Sequence, residues 1–430
     1  MRLELKNINK IAYADVRLNG LTVIAGTNDS GKSTVGKALF SVVKSIGLVK
    51  TLTAEVQRER IRKLLHRLER GVFTLSRESG NQSAHDLMRQ IEDFKQQGDV
   101  VDDRFFMELS KFIEDSAYIV PRSKAALKRS LEELERMITE MKCPDERLRI
   151  QLQRVMGAEF DGHVCTWDTA GSEINFEEEE NENKLCIRLE NDKVMSAEAQ
   201  RDSEFTIEDA SFIESPLYMH LIDALLLPRA SSGLARGYDM LLNYHVDDFI
   251  RKLGMARFAS SYSSTEDSAY GDLFDKSAEI TGGRFVFDAT AHRLLWEKDG
   301  RKYSPVNVAS GVKSFGVMQL LIGQQVINEN RLLIWDEPEN HLHPEWQIRL
   351  AELLVDLSLT GVPVLISSHS PYFIQAIRFY SQKRNNAYVD YYLTEEVSEG
   401  LVRIEDVTKD LNRIFTKLSK PMSQIVNFRK

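Results

Sequence analysis

The chain has 430 residues, 42% of them apolar and 28% charged, which supplies one large core or two smaller ones and excludes low-complexity disorder for most of its length. Lysine and arginine number 56 against 65 aspartates and glutamates, a net charge of −9, so no global positive field draws the chain onto nucleic acid or an anionic membrane. The three cysteines (Cys143, Cys165, Cys186) form no CxxC pair and argue against a disulfide framework or structural zinc. With no membrane-length apolar run and no signal-peptide pattern, a reducing cytoplasm is the expected setting.

The first elements are two short alternating strands, 3–8 and 14–18, then the apolar run Leu21-Thr-Val-Ile-Ala25, the pattern of a strand buried on both faces. Directly behind it stands Gly26-Thr-Asn-Asp-Ser-Gly-Lys-Ser33, followed by a helical stretch over 34–43. This matches G-x-x-x-x-G-K-[ST] in full and sits where its mechanism requires, after a strand and before a helix. Glycines let the backbone curl so that several N–H groups face one anion, and the helix N-terminus adds about half a positive charge. Gly26, Asn28, Ser30, Gly31 and Thr34 are therefore candidate ATP contacts. Lys32 would reach the β- and γ-phosphates, and Ser33 Oγ would join a Mg²⁺ shell.

Residues 49–157 read as an inserted helical region, poor in proline and with Glu, Arg, Lys and Leu at helical spacing. Over 158–215 the period shifts towards two, with strands at 173–176, 185–189 and 210–213 around an acidic turn at 177–182, predicting an antiparallel sheet. Helix returns over 216–280, broken at Ser231-Ser-Gly233 and at 260–264, and a hairpin follows at 283–287 and 294–298. Ser310-Gly311 then opens an apolar helix through Ile322. Two apolar strands, Leu332-Leu-Ile-Trp335 and Val362-Pro-Val-Leu-Ile366, flank a helix at 344–357, which makes a βαβ unit with a parallel sheet. Strands and a helix are expected over 376–430.

Asp336 and Glu337 stand at the carboxyl end of a parallel strand, where open α/β sheets bind ligands. Asp336 suits Mg²⁺ held through water, and Glu337 suits proton acceptance from an attacking water. Alone, two acids there equally describe a solvated strand end; the lysine loop favours chemistry. His369, in Ser367-Ser-His369-Ser-Pro371, ends the next strand and suits a γ-phosphate contact, with a hydrogen-bonded core histidine as the alternative. Ser310 and Gly311 form either a second anion cradle or an ordinary helix cap.

Together these pieces resemble the ABC-type ATPase heads of the SMC/Rad50 and overcoming-lysogenization-defect (OLD) group, the AAA-15 and AAA-21 ATPases. The resemblance rests on Gly26-Thr-Asn-Asp-Ser-Gly-Lys-Ser-Thr34, Ala309-Ser-Gly-Val-Lys-Ser314, Ile334-Trp-Asp-Glu-Pro-Glu-Asn-His-Leu-His-Pro344 and Ser367-Ser-His-Ser-Pro-Tyr372. It covers about 1–45 and 280–375. It implies an α/β P-loop head with a mixed sheet, an antiparallel β subdomain and an inserted helical region. It makes 309–314 the signature loop, 340–344 the D-loop region and His369 the switch histidine. It also implies ATP hydrolysis by a homodimer or larger homo-oligomer, because the signature loop of one protomer completes the nucleotide site of the other. Similar stand-alone ATPases serve antiphage systems such as Septu or PARIS, which implies a switch controlling a separately encoded nuclease or toxin. The alternative is a repair ATPase resembling Rad50 or RecF that grips DNA directly; a transporter subunit fits the interrupted layout poorly.

Three departures from the family are visible. Each helix of a hairpin in the insert could hold about 40 residues and span about 60 Å, too short for an SMC-length arm. Residues 376–430 contain no acidic-rich catalytic domain, so the TOPRIM nuclease fused to OLD proteins is not expected. The magnesium-sensing glutamine has no assigned position, although Ala210-Ser-Phe-Ile-Glu-Ser-Pro216 lies in its neighbourhood. For DNA or RNA contact, the candidate patch is Arg58, Arg60, Arg62, Lys63, Arg67 and Arg70, with a weaker cluster at 378–384. Glu55, Glu59 and Glu69 are interleaved with the first, which favours a solvated helix with i, i+4 pairs. His341 and His343 beside Glu339 could suggest a metal, but the D-loop match explains them better. Trp335 and Trp346 read as packing residues.

Overall fold

The computed structural model describes residues 1–51, 54–79, 87–92, 103–115, 121–142, 144–169, 171–200, 204–222, 242–254, 269–288, 293–385 and 387–427. The expected breaks at 231–233 and 260–264, and Cys143, lie outside the described residues. The chain divides into two compact units, residues 1–47 with 149–430, and residues 48–148.

The larger unit is built on one mixed sheet. Its strands are β1 (Arg2–Ile8), β2 (Ile11–Arg17), β3 (Leu21–Ala25), β4 (Ser172–Glu178), β5 (Asn183–Glu190), β6 (Lys193–Gln200), β7 (Asp209–Ile213), β11 (Arg331–Asp336), β12 (Val364–Ser368), β13 (Val389–Ser398) and β14 (Leu401–Asp406). They run in the order β6-β5-β4-β1-β2-β14-β13-β3-β12-β11-β7. A second sheet of three strands contains β8 (Arg284–Asp288), β9 (Arg293–Lys298) and β10 (Arg301–Tyr303). The fold is α/β, and the antiparallel strands expected as a subdomain prove continuous with the parallel part. Both edges of β1 are paired, with β2 on one side and β4 on the other, and this joins the two regions. One strand absent from the sequence reading, β6, follows a two-residue turn in which Asn191 and Asp192 have φ of 49° and 64°. Two left-handed central residues are the geometry of a type I′ hairpin, which matches the right-handed strand twist.

The helices with the larger unit's residues are α1 (Lys32–Thr51), α5 (Pro144–Glu159), α6 (Tyr244–Gly254), α7 (Ala269–Thr281), α8 (Ser310–Gly323), α9 (Pro344–Ser358), α10 (Pro371–Lys383) and α11 (Asn412–Asn427). Where helix was expected from Pro216, a 3₁₀ segment over Pro216–Leu221 stands instead. Every residue of β3 and β12 is buried, as for strands covered on both faces. α1 approaches this sheet closely at Gly36, where a Cβ would lie 3.2 Å from Ile334 Cγ2 and 3.4 Å from Phe212 Cζ. Trp335 is fully buried in the main core, and Trp346 packs edge-on to Phe315 at 5.6 Å between centroids. The smaller unit holds α2 (Ala54–Ser79), α3 (Asp103–Asp115) and α4 (Pro121–Lys142). Leu64, Leu65, Leu68 and Val72 of α2 bury one helical stripe with Phe106 and Leu109 of α3 and Leu131 and Leu134 of α4. Among the described residues, no helix is long and apolar enough to cross a membrane.

Candidate functional site

The sheet register sets the site. β3 and β12 pair in parallel with Ile24 opposite Ser367, β12 and β11 with Ser367 opposite Asp336, and β11 and β7 with Trp335 opposite Ile213. Their carboxyl ends therefore lie level, and the loops leaving them share one edge. From β3 the chain enters the 26–31 loop and turns into α1. Gly26 N–H donates to Ser368 O at 3.2 Å, and a Cβ there would stand 2.0 Å from Thr394 Oγ1 and 2.6 Å from Ser30 Oγ. Gly31 has φ of 78°, a left-handed backbone that favours glycine. Ser30 Oγ donates to Thr27 O at 2.7 Å, bracing the curl, while Asn28 is exposed at its tip and Thr34 N–H donates to Gly31 O.

Lys32 is 5% exposed, and its ammonium donates to Gly26 O at 3.2 Å and Thr27 O at 2.7 Å. The same nitrogen lies 3.4 Å from Glu337 Oε1. Ser33 Oγ donates to Asp336 Oδ2 at 2.5 Å, although the two residues are 303 positions apart in sequence. Ser367 Oγ donates to the other oxygen of Asp336, and also accepts from Glu337 N–H at 3.1 Å. Glu337 sits at φ of 45°, a strained position for a side-chain-bearing residue and one that recurs at functional sites. Asn340 Nδ2 donates to Glu337 Oε2 at 2.9 Å, and His369 Nδ1 lies 3.1 Å from Oε1. Burial pushes the Glu337 carboxyl up, but Asn340, His369 and Lys32 outweigh it and hold it below its ordinary value. It is thus kept ionised, the form a proton acceptor needs.

ATP and Mg²⁺ fit these residues. The first corner of the loop has no room for a side chain, a desolvated ammonium faces the loop's own carbonyls, and two hard oxygen donors, Ser33 and Asp336, meet at one point. Mg²⁺ characteristically takes one or two such protein ligands and fills its octahedron with water and phosphate oxygens.

Ser310 is the first residue of α8, and Ala309, with no side-chain hydrogen bond, occupies its cap position. Ser310 is thus not the ordinary cap. Gly311 is buried, and a Cβ there would meet Trp346 Cε3 at 3.0 Å and Leu342 Cδ2 at 3.1 Å. Among the described residues, no hydrogen bond or ion pair joins Ser310 or Gly311 to the 26–33 loop. His343 caps α9, its Nδ1 accepting from Glu345 N–H at 3.4 Å, and His341 is exposed.

Ser367, Asn340 and Glu339 carry contacts here that the sequence did not assign. Ser367 and Asn340 lie inside the motifs at 367–372 and 334–344, but nothing local says that their side chains turn towards Asp336 and Glu337. Glu339 is 3% exposed, and burial, partly offset by Ser368 and the His369 peptide, holds its carboxyl above the ordinary value. Glu214, one residue beyond β7, binds His245 and Tyr218 rather than the 26–33 loop, with Oε2 at 3.3 Å and 2.6 Å from their polar atoms.

In the basic helix α2, Arg70 Nη2 lies 3.2 Å from His66 Nε2, whose ring also meets Glu69 at 3.0 Å, a mixed-charge surface. The side chains of Arg58, Arg60, Glu55 and Glu59 lie outside the described part. Arg384, from the second basic cluster, is engaged by Asp356 at 2.7 Å and Glu352 at 3.1 Å.

Residues 187–375 match the family model described as an AAA domain, putative AbiEii toxin, Type IV TA system; this is less than half of the chain and leaves out the 26–33 loop. A curated relative, the uncharacterized protein MJ1542 of Methanocaldococcus jannaschii, is 33% identical over 93 residues, which span 20% of this chain and 11% of that one. Among solved structures, the SMC head domain from Thermotoga maritima has a TM-score of 0.40 at 12% identity, over 94% of this chain and 98% of its own. The Smc head with an extended coiled coil bound to the C-terminal domain of ScpA, derived from Pyrococcus furiosus, has a TM-score of 0.40 at 13% identity, over 100% and 99%. The chain is thus similar, across the segment that contains Asp336, Glu337 and His369, to AAA domains of the AbiEii type.

Proposed function

We propose that this protein is an ATP-hydrolysing switch of the ABC/SMC type, in which two copies close on bound nucleotide and reopen after hydrolysis. The observation that carries the reading is the meeting of Lys32, Ser33, Asp336 and Glu337 at one sheet edge from opposite ends of the chain. When phosphate oxygens enter the loop, the Lys32 ammonium exchanges Glu337 and two carbonyls for them, which releases Glu337 to accept a proton from water on the γ-phosphate. Mg²⁺ held by Ser33 and Asp336 would neutralise charge developing on the β- and γ-oxygens. His369, beside Glu337, would sense the γ-phosphate. Ser310 and Gly311, at a helix N-terminus that no hydrogen bond or ion pair among the described residues ties to this chain's own loop, suit the nucleotide of a second copy.

The cycle would control a separately encoded nuclease or toxin, in the manner of the antiphage ATPases that the sequence resembles; this step is analogy with the family. The DNA-gripping alternative is disfavoured by the net charge, by the glutamates interleaved with the first basic cluster and by the contacts of Arg384 in the second with Asp356 and Glu352. The test is ATP turnover with Lys32→Ala and Glu337→Gln. Lys32→Ala should abolish nucleotide binding, and Glu337→Gln should bind ATP but turn over at least about 100-fold more slowly, the scale of a lost general base. Turnover at the unmodified rate in either variant would refute the reading.

A further inference from the structure

Among the acids between 336 and 339, Glu339 has no task in the reading above, yet it is the most deeply buried and the most heavily hydrogen-bonded. Its Oε1 accepts from Ser368 Oγ at 2.6 Å, His369 N–H at 3.1 Å and Ser370 N–H at 3.3 Å. These donors are consecutive residues of the turn that carries β12 into α10. The turn is closed from within: Ser368 Oγ accepts from Ser370 N–H at 3.1 Å, and Ser370 Oγ caps α10 by accepting from Phe373 N–H at 3.2 Å. It is also held from outside, where Ser370 Oγ donates to Gln347 Oε1 of α9 at 3.2 Å. One buried carboxyl oxygen thus gathers the Ser368 hydroxyl and the two peptide N–H groups that lead into α10, and losing an acceptor shared by three buried donors leaves each of them to be satisfied elsewhere. The anchored peptide is that of His369, whose Nδ1 lies 3.1 Å from Glu337 Oε1 and 3.9 Å from Glu339 Oε1.

We propose that Glu339 is a positioning residue that clamps the 368–370 turn and thereby fixes the His369 imidazole against Glu337. The inference rests on the reading of this edge as the site of hydrolysis. Glu339 touches neither loop 26–31 nor the Asp336 carboxylate in any hydrogen bond among the described residues; it acts through the His369 peptide. Its second oxygen is buried without a partner, so the clamp is carried by one oxygen, which a glutamine side chain also possesses. Misplacing a catalytic group by about 1 Å can cost about 100-fold in rate, so loss of the clamp belongs in kcat.

Two measurements test this. In steady-state ATP turnover, Glu339→Ala should lower kcat about 10- to 100-fold with KM within about 2-fold. Glu339→Gln, keeping an accepting oxygen, should recover kcat to within about 3-fold, and Glu339→Ala/His369→Ala should be no slower than His369→Ala alone. Wild-type kcat in Glu339→Ala, failure of Glu339→Gln to rescue, or a double variant slower by the product of both effects would each overturn the proposal. The second measurement does not need hydrolysis. Amide hydrogen exchange of the 368–373 peptide should accelerate in Glu339→Ala and stay slow in Glu339→Gln, and unchanged exchange in Glu339→Ala overturns the clamp. An unmodified protein without turnover, by contrast, would strike the hydrolysis reading and leave the exchange result to decide the clamp.

Discussion

Replacing Lys44 by methionine should destabilise the larger unit sharply, because Lys44 is one corner of a buried square of charges. Its Nζ lies 2.7 Å from Asp209 Oδ1 and 2.6 Å from Asp248 Oδ1, while Lys252 Nζ lies 2.8 Å from the second oxygen of each aspartate. The square ties α1, which begins at the 26–31 loop, to β7 and α6. Burial pushes the Lys44 ammonium down, but Asp248 and Asp209 outweigh it and raise it to about 12. Burial pushes Asp209 up, but Lys252 and Lys44 hold it below its ordinary value. Methionine fills the same volume but leaves two carboxylates facing one ammonium, and breaking a buried ion pair from one side costs about 3–5 kcal/mol. Lys44→Met/Asp248→Asn restores neutrality, so its loss should fall short of the summed single losses by about 1–3 kcal/mol. Urea unfolding followed by tryptophan fluorescence reads this unit, since Trp167, Trp296, Trp335 and Trp346 all lie in it. Neutral pH shows the whole effect. Asp209, with its folded value depressed, contributes above its ordinary 3.8 and loses that contribution as pH falls through the lower folded value. Lys44, with its folded value raised, contributes below its ordinary 10.5 and loses it as pH rises through about 12. A loss under about 1 kcal/mol in Lys44→Met, or strict additivity in the double variant, would refute the reasoning.

Gly26→Ala should weaken ATP binding about 10- to 100-fold, because its Cβ would stand 2.0 Å from Thr394 Oγ1, and Thr394→Ala should restore part of that loss; calorimetric titration with ATP decides, and wild-type affinity in Gly26→Ala would count against the cradle geometry. A pH effect is expected at His245, whose buried ring lies 2.7 Å from Glu159 and 3.3 Å from Glu214. Burial pushes its pKa down, but the two glutamates raise it above the ordinary 6.5, so its contribution is complete below 6.5 and fades as pH rises through the folded value. His245→Gln should flatten the pH dependence of the urea midpoint above pH 6.5, and an unaltered slope would exclude the charged pairing.

The glycine loop at 26–33 was legible in the sequence because its geometry is local. Gly31 must take a left-handed backbone, and Lys32 and Ser33 follow within one helical turn. The apolar runs of β3, β11 and β12 were equally plain, since strands buried on both faces need continuous apolar residues. Less visible was β6, whose Asn191-Asp192 turn announces a hairpin only when both residues are read as left-handed. The 3₁₀ segment after Pro216 replaced an expected helix, where apolar spacing could not distinguish the two.

What the sequence determined by itself was the chemistry on offer: a lysine-bearing glycine loop at one end and an acidic strand terminus at the other. Tertiary structure decided how these meet. Parallel register sets Ser367 between Asp336 and Glu337, the packing of Trp346 and Leu342 crowds any Cβ at position 311, and Glu339 turns inward onto the His369 peptide. Each is a contact between segments whose separation along the chain carries no periodic or local signal. Backbone curl is written in neighbouring residues, whereas the direction of a side chain at a strand end depends on which strands lie beside it.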